Sequence, residues 1–151
     1  MLARKSLLET PVGYKYLPHT TDAYVQATGT TIEEAFAYAA MALMDTMCNV
    51  EDVAGSTNDE LHVEASDEVM LLYNWLELLL LKFELEHRVF SSFDLKISRQ
   101  SGKLLLDTKA AGEMYDRKKH GGKVEVKAVT LHRMEILRKD QLTIVRFILD
   151  L

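Results

Sequence analysis

From Val69 to Phe83 every position is apolar or aromatic except Asn74, Glu77 and Lys82. The stretch is short of the roughly 20 residues that a membrane span needs, and it carries charge, so it reads as a helix in a protein core. At helical spacing Val69, Leu72, Tyr73, Leu76, Leu79, Leu80 and Phe83 fall on one side, and Leu71, Trp75 and Leu78 on a neighbouring side. A helix apolar over so wide an arc has to be covered on two faces, which makes it the centre of the core.

The remaining pattern supplies the cover. Thr31 and Glu34 have the spacing of a capping box. Behind them Ile32, Ala35, Phe36, Ala39, Leu43 and Met47 form the stripe of a first helix ending near Asn49. Tyr14 to Leu17 and Ala23 to Thr28 precede it as short strands, with Gly29 as the break. Glu51 to Asn58 reads as a loop, Leu61 to Ala65 as a strand, and Ser66 or Asp67 as the cap of the second helix. Beyond Arg88 the period changes to two. Phe93 to Ile97, Lys103 to Asp107, Val124 to Val129, Leu131 to Leu137 and Leu142 to Leu149 are strand candidates, with turn signals at Ser101-Gly102, Gly121-Gly122 and Lys139-Asp140. The expectation is an α+β domain, two main helices packed on a mostly antiparallel sheet.

A length of 151 residues, 48% of them hydrophobic, suits one core, and a net charge of −5 argues against a broad grip on a nucleic-acid backbone. The single cysteine, Cys48, excludes an internal disulfide and reads as a small buried residue at a helix end. Leu7 and Leu8 before Glu9 and Pro11 are too few for a secretory signal, so an intracellular protein, cytoplasmic or nuclear, with no membrane partner is expected.

Four places carry polar groups that could do chemistry. The apolar strand Leu142 to Leu149 runs into Asp150 and Leu151, whose side-chain and α-carboxylates are oxygen donors suited to a hard cation; the alternative is a solvated aspartate at a strand end. His19-Thr20-Thr21-Asp22 is either a polar site or a capped turn. Arg117, Lys118, Lys119 and His120 before Gly121-Gly122 form a positive loop tip, able to meet a phosphate or an acidic partner or simply to be solvated. In Glu125 to Thr130, alternation sets Lys127 opposite Val126 and Ala128, so it either snorkels to water or faces a negative site. The signatures of phosphate-binding loops, dinucleotide sites, serine hydrolases and zinc proteases are absent from the sequence.

These segments occur together in a familiar order. It begins with Tyr-x-Tyr-Leu-x-His-Thr-x-Asp at Tyr14 to Asp22 and Thr-x-Glu-Glu-Ala-Phe at Thr31 to Phe36. It continues with Gly112-Glu113, Lys119-His120, Glu-Val-Lys-Ala-Val-Thr at Glu125 to Thr130, and a final Ile-Leu-Asp-Leu. In this the chain resembles the archease family from Tyr14 to Leu151, with residues 1–13 as an N-terminal extension free to move. The resemblance implies a non-catalytic cofactor of an RtcB-class RNA ligase in tRNA splicing. Such a cofactor promotes metal- and GTP-dependent guanylylation and multiple turnover, with tRNA contacted only indirectly. It further implies a divalent cation, calcium, magnesium or manganese, at Asp22, Asp150 and Leu151. Lys127 belongs to the same functional surface, and His19 and His120 are supporting candidates. Thr21 and Leu151 depart mildly from the family pattern, which usually has Ala and often Ile there. Carboxylates converging at about 4 Å would repel by on the order of 4 kcal/mol per pair at an effective dielectric of about 20, so a cation and Lys127 are the natural counter-charges. A metal-dependent phosphoesterase or nucleotide hydrolase using the same carboxylates is the alternative.

Overall fold

The computed structural model describes residues 11–151, so the expected extension over residues 1–13 lies almost wholly outside the described residues. In chain order the elements are β1 (Gly13–Leu17), β2 (Ala23–Gly29), α1 (Ile32–Met47), a 3-10 turn (Val50–Asp52), β3 (Thr57–Ala65), α2 (Glu68–Glu86), β4 (Arg88–Gln100), β5 (Lys103–Met114), α3 (Arg117–His120), β6 (Ala128–Lys139) and β7 (Leu142–Asp150). The strands form two antiparallel sheets, one ordered β1-β2-β7-β6 and the other β3-β5-β4.

Both long helices begin where their caps predict. Thr31 Oγ1 accepts the Glu34 N–H at 3.1 Å, while the Glu34 carboxylate reaches the Thr30 N–H, one residue earlier than a strict capping box would have it. Asp67, the second of the two expected caps, accepts from the Met70 N–H. Helix α2 stops at His87, whose left-handed backbone (φ 55°) lets its N–H reach the carbonyls of Lys82 and Phe83.

The apolar arc of α2 is covered as its width requires. It packs against β6 of the larger sheet and against β3, β4 and β5 of the smaller one, while α1 packs on β1, β2 and β7 and crosses to β4. Leu71, Leu72, Trp75, Leu76 and Leu79 are wholly buried. The Trp75 indole N–H donates to the Phe36 carbonyl at 3.1 Å, tying α2 to α1, and its ring meets Phe93 edge-on at 5.5 Å.

Several strand expectations are corrected. Val124 to Lys127 is not strand: β6 begins at Ala128 and absorbs the Leu131 to Leu137 candidate in one element. Its pairing with β7 is interrupted between Thr130 and Glu135, where Arg133 adopts φ 60° and sets its guanidinium over the Tyr24 ring. Strands β4 and β5 run from Arg88 and to Met114, well beyond their expected limits; in β4 a bulge at Phe90 to Ser92 breaks the alternation that would have revealed its start. Residues Thr57 and Asn58, expected in a loop, open β3. The last hairpin turns at Asp140-Gln141, both at positive φ, one residue later than the Lys139-Asp140 signal.

Candidate functional site

Strand β7 is buried on both faces apart from Arg146 and its two end residues, Leu142 and Asp150, which are partly exposed, and it lies between β2 and β6. Its pairing fixes which residues gather at its end. Ala23 stands opposite Leu149 and Ala128 opposite Asp150. Asp22 therefore immediately precedes the Ala23–Leu149 pair, Asp150 immediately follows it, and Lys127 immediately precedes the Ala128–Asp150 pair. Adjacent strands run about 4.8 Å apart, so Asp22 and Asp150 are near neighbours at one end of the sheet. The Lys127 N–H donates to the Asp150 carbonyl at 2.7 Å. Asp150 lies on the sheet face shared by the paired residues Tyr24 and Ile148.

Asp22 and Asp150 are half-buried and Lys127 is exposed. Leu151 is partly buried and packs against the core, so the strand end is docked. His19 is exposed and meets the Tyr24 ring edge-on at 5.9 Å, beside the same face. Among the described residues no group of three or more His, Cys, Asp and Glu side chains gathers closely enough to hold a metal. The available donors are two side-chain carboxylates and main-chain oxygen at the strand end. That set fits a hard cation that leaves coordination positions to water or phosphate oxygen better than a closed calcium cage of about six to eight protein oxygens.

His120 is not part of an exposed loop tip. Arg117–His120 forms one helical turn, capped by the Asp116 carboxylate on the Lys118 N–H, and that turn swings the imidazole inward until it is fully buried. The Asp116 N–H donates to His120 Nδ1 at 2.9 Å, so Nε2 carries the proton and donates to the Glu113 carboxylate at 2.7 Å. The ring stacks on Tyr115, whose hydroxyl donates to the Gly121 carbonyl at 2.7 Å. Glu113 also accepts from Lys119 and from the Ala54 N–H. Lys119, the Ala54 N–H and then His120 hold the Glu113 carboxyl well below the usual range, at about 2. The His120 carbonyl accepts the Asn49 N–H, and the Lys123 N–H donates to the Met47 carbonyl. The strap from Tyr115 to Lys127 is thus pinned to the C-terminal end of α1 before it reaches Asp150.

Two further clusters have no sequence signal, because their members meet only through the fold. Asp45 accepts from Lys123 at 2.8 Å and from Tyr14 at 3.2 Å; burial first, and then Asp45, push the Tyr14 hydroxyl well above its ordinary value. Neighbouring Cys48 is buried, and burial pushes its thiol up to about 11, which suits an inert structural residue.

On the outer face of the smaller sheet Glu60, His62, Asp94, Lys96, Asp107 and Lys109 line a recess of about 540 Å³. His62 presents Nε2 to Glu64 at 3.0 Å and Nδ1 to Asp107 at 2.8 Å, and the bonds to Glu64 and then Asp107 raise its pKa. Its contribution to stability is therefore full below the unfolded value of about 6.5 and lost as pH rises through the folded value. An NMR titration should find His62 raised from the ordinary histidine value, and Asp107→Asn should lower it; no response to that substitution would dissolve the cluster.

Comparison with known proteins agrees with this architecture. The Archease protein family model matches residues 14–151. Archease of Pyrococcus furiosus is 41% identical over 125 residues, covering 83% of this chain and 88% of that protein. Archease of Methanothermobacter thermautotrophicus is 38% identical over 139 residues, covering 92% and 99%. The solution structure of a Methanobacterium thermoautotrophicum protein superposes with a TM-score of 0.81 at 35% identity, over 92% of this chain and 99% of that one. A Thermotoga maritima crystal structure, described as an archease and possible chaperone, shares the fold with a TM-score of 0.59 at 16% identity, over 91% and 96%. With the family model spanning nearly all of the described residues, and relatives at this identity over most of its length, the chain belongs to the archease family.

Proposed function

We propose that the protein is a non-catalytic activator of an RtcB-class RNA ligase in tRNA splicing, promoting GTP-dependent guanylylation and repeated turnover inside the cell, in the cytoplasm or nucleus. The observation that supports it most is the register of β2, β6 and β7, which gathers Asp22, Asp150, Leu151 and Lys127 at one sheet end. Asp22, Asp150 and main-chain oxygen at Leu151 would hold a divalent cation. Bound there, such an ion supplies positive charge against phosphate oxygens. Lys127, exposed beside Asp150, acts as a second point charge that orients a phosphate group. Two half-buried carboxylates with no positioned base among them suit lending an ion to a partner's chemistry better than independent hydrolysis. The description of the Thermotoga maritima neighbour as a possible chaperone, carried over to this chain, agrees with a protein partner. No described helix is long and apolar enough to cross a membrane.

Calorimetric titration with magnesium, calcium and manganese tests the cation site. Asp150→Asn should weaken binding of the preferred ion by about tenfold or more, equivalent to about 1.4 kcal/mol. Equal affinities would remove Asp150 from the site, and phosphate release from GTP by the purified protein alone would favour a nucleotide hydrolase instead.

A further inference from the structure

We propose that the strap from Tyr115 to Lys127, with the recess beside it, docks an acidic protein segment that carries an apolar side chain. The recess, about 360 Å³, has Met47, Phe83, Tyr115 and Val124 in its lining and Arg117, Lys123 and Glu125 as its charged residues. Val124 is 45% exposed although it is aliphatic, because the strap holds it out over the C-terminal end of α1 through the Lys123 and Val124 N–H bonds to Met47 and Thr46. An exposed apolar side chain at the mouth of a recess, rimmed by charge, is the form of a protein contact.

Charge selects the occupant. Lys119 is paired with Glu113 and Lys123 with Asp45, whereas Arg117, Lys118 and Lys127 are exposed and have no carboxylate partner among the described residues. Arg117, Lys118 and Lys127 outnumber the strap's own exposed carboxylates, Asp116 and Glu125, in a chain whose net charge is −5. A short acidic segment answers them without bringing the long run of negative charge that the rest of the surface would repel. A single-stranded nucleic acid fits less well. The two aromatic rings at the recess pack on each other, Phe83 against Tyr115 at 5.2 Å, and Tyr115 is also stacked on His120 with its hydroxyl tied to Gly121, so neither stands free as a platform for bases. The strap's far end bonds to Asp150, so a segment seated along it lies beside the candidate cation site. That the occupant belongs to a ligase rests on the proposed ligase-activating function; the surface and the chemistry it selects do not.

The test is an NMR titration of the isotope-labelled protein with a blocked peptide, Glu-Asp-Leu-Phe-Glu-Asp. Amide shifts should change at Tyr115, Gly122 and Val124. Affinity should fall with added salt and should weaken by about fivefold in the exposed double variant Arg117→Glu, Lys118→Glu. Asp22→Asn should bind the peptide as the parent does, so loss of the cation site and loss of the docking surface are read separately. Shifts confined to other regions, or equal affinity in the double variant, would overturn the proposal. So would tighter binding at the same amides by a single-stranded RNA of equal charge, which would make the strap a nucleic-acid surface.

Discussion

Trp75→Ala is expected to destabilise the protein by about 3–5 kcal/mol, a large share of the total stability of a domain of this size. The side chain is fully buried where α1, α2 and the smaller sheet meet. Its removal opens a cavity against Phe93 and leaves the Phe36 carbonyl without the indole donor. Denaturant unfolding reads the loss directly, and Leu85→Ala, at a side chain 74% exposed on the same helix, should stay within about 0.5 kcal/mol of the parent. A Trp75→Ala loss under about 1.5 kcal/mol would mean that the indole is not the keystone of the two-sided core.

His120→Ala is expected to cost about 2–4 kcal/mol, combining a cavity under Tyr115 with an orphaned Asp116 N–H. A structural latch also has an acid signature. The Glu113 carboxyl sits at about 2, below its ordinary value, so its contribution is present above the unfolded value and is lost as pH falls towards the folded one. Removing the imidazole strips away one of the donors that hold the carboxyl there. Stability of His120→Ala should therefore fall less between pH 5 and pH 2 than that of the parent, and an unchanged acid slope would separate Glu113 from the latch. Because the latch pins the strap, the amide of Lys127 should also exchange faster with solvent in this variant.

What can be read from the sequence follows how local its causes are. Both long helices are legible because their caps and stripes are written within a few residues, as at Thr31 to Glu34 and Asp67 to Met70. The buried strand Leu142 to Leu149 is legible from its run of apolar residues. Division into two sheets is not, since the pairing of β2 with β7 joins segments more than a hundred residues apart. Bulges hide the rest: Phe90 to Ser92 shifts the phase of β4, and Thr130 to Glu135 splits one strand into what looks like two. At the site, the family pattern singles out Asp22, Asp150 and Lys127, and the strand register is the physical reason they are neighbours. His120 reads as exposed because its neighbours Arg117, Lys118 and Lys119 are charged, while the group that holds it inside, Glu113, lies in the preceding strand.

Reconstituted ligation tests the site most directly. An RtcB-class ligase, GTP, a divalent cation and tRNA exon halves are incubated in multiple-turnover amounts with the parent protein or with Asp22→Asn, Asp150→Asn or Lys127→Ala. None of these three side chains is in the core, so thermal midpoints should match the parent's. The parent should raise the yield beyond one turnover per ligase and each variant should leave it at the level of ligase alone. Variants that stimulate as fully as the parent would contradict a working site at the meeting of β2, β6 and β7.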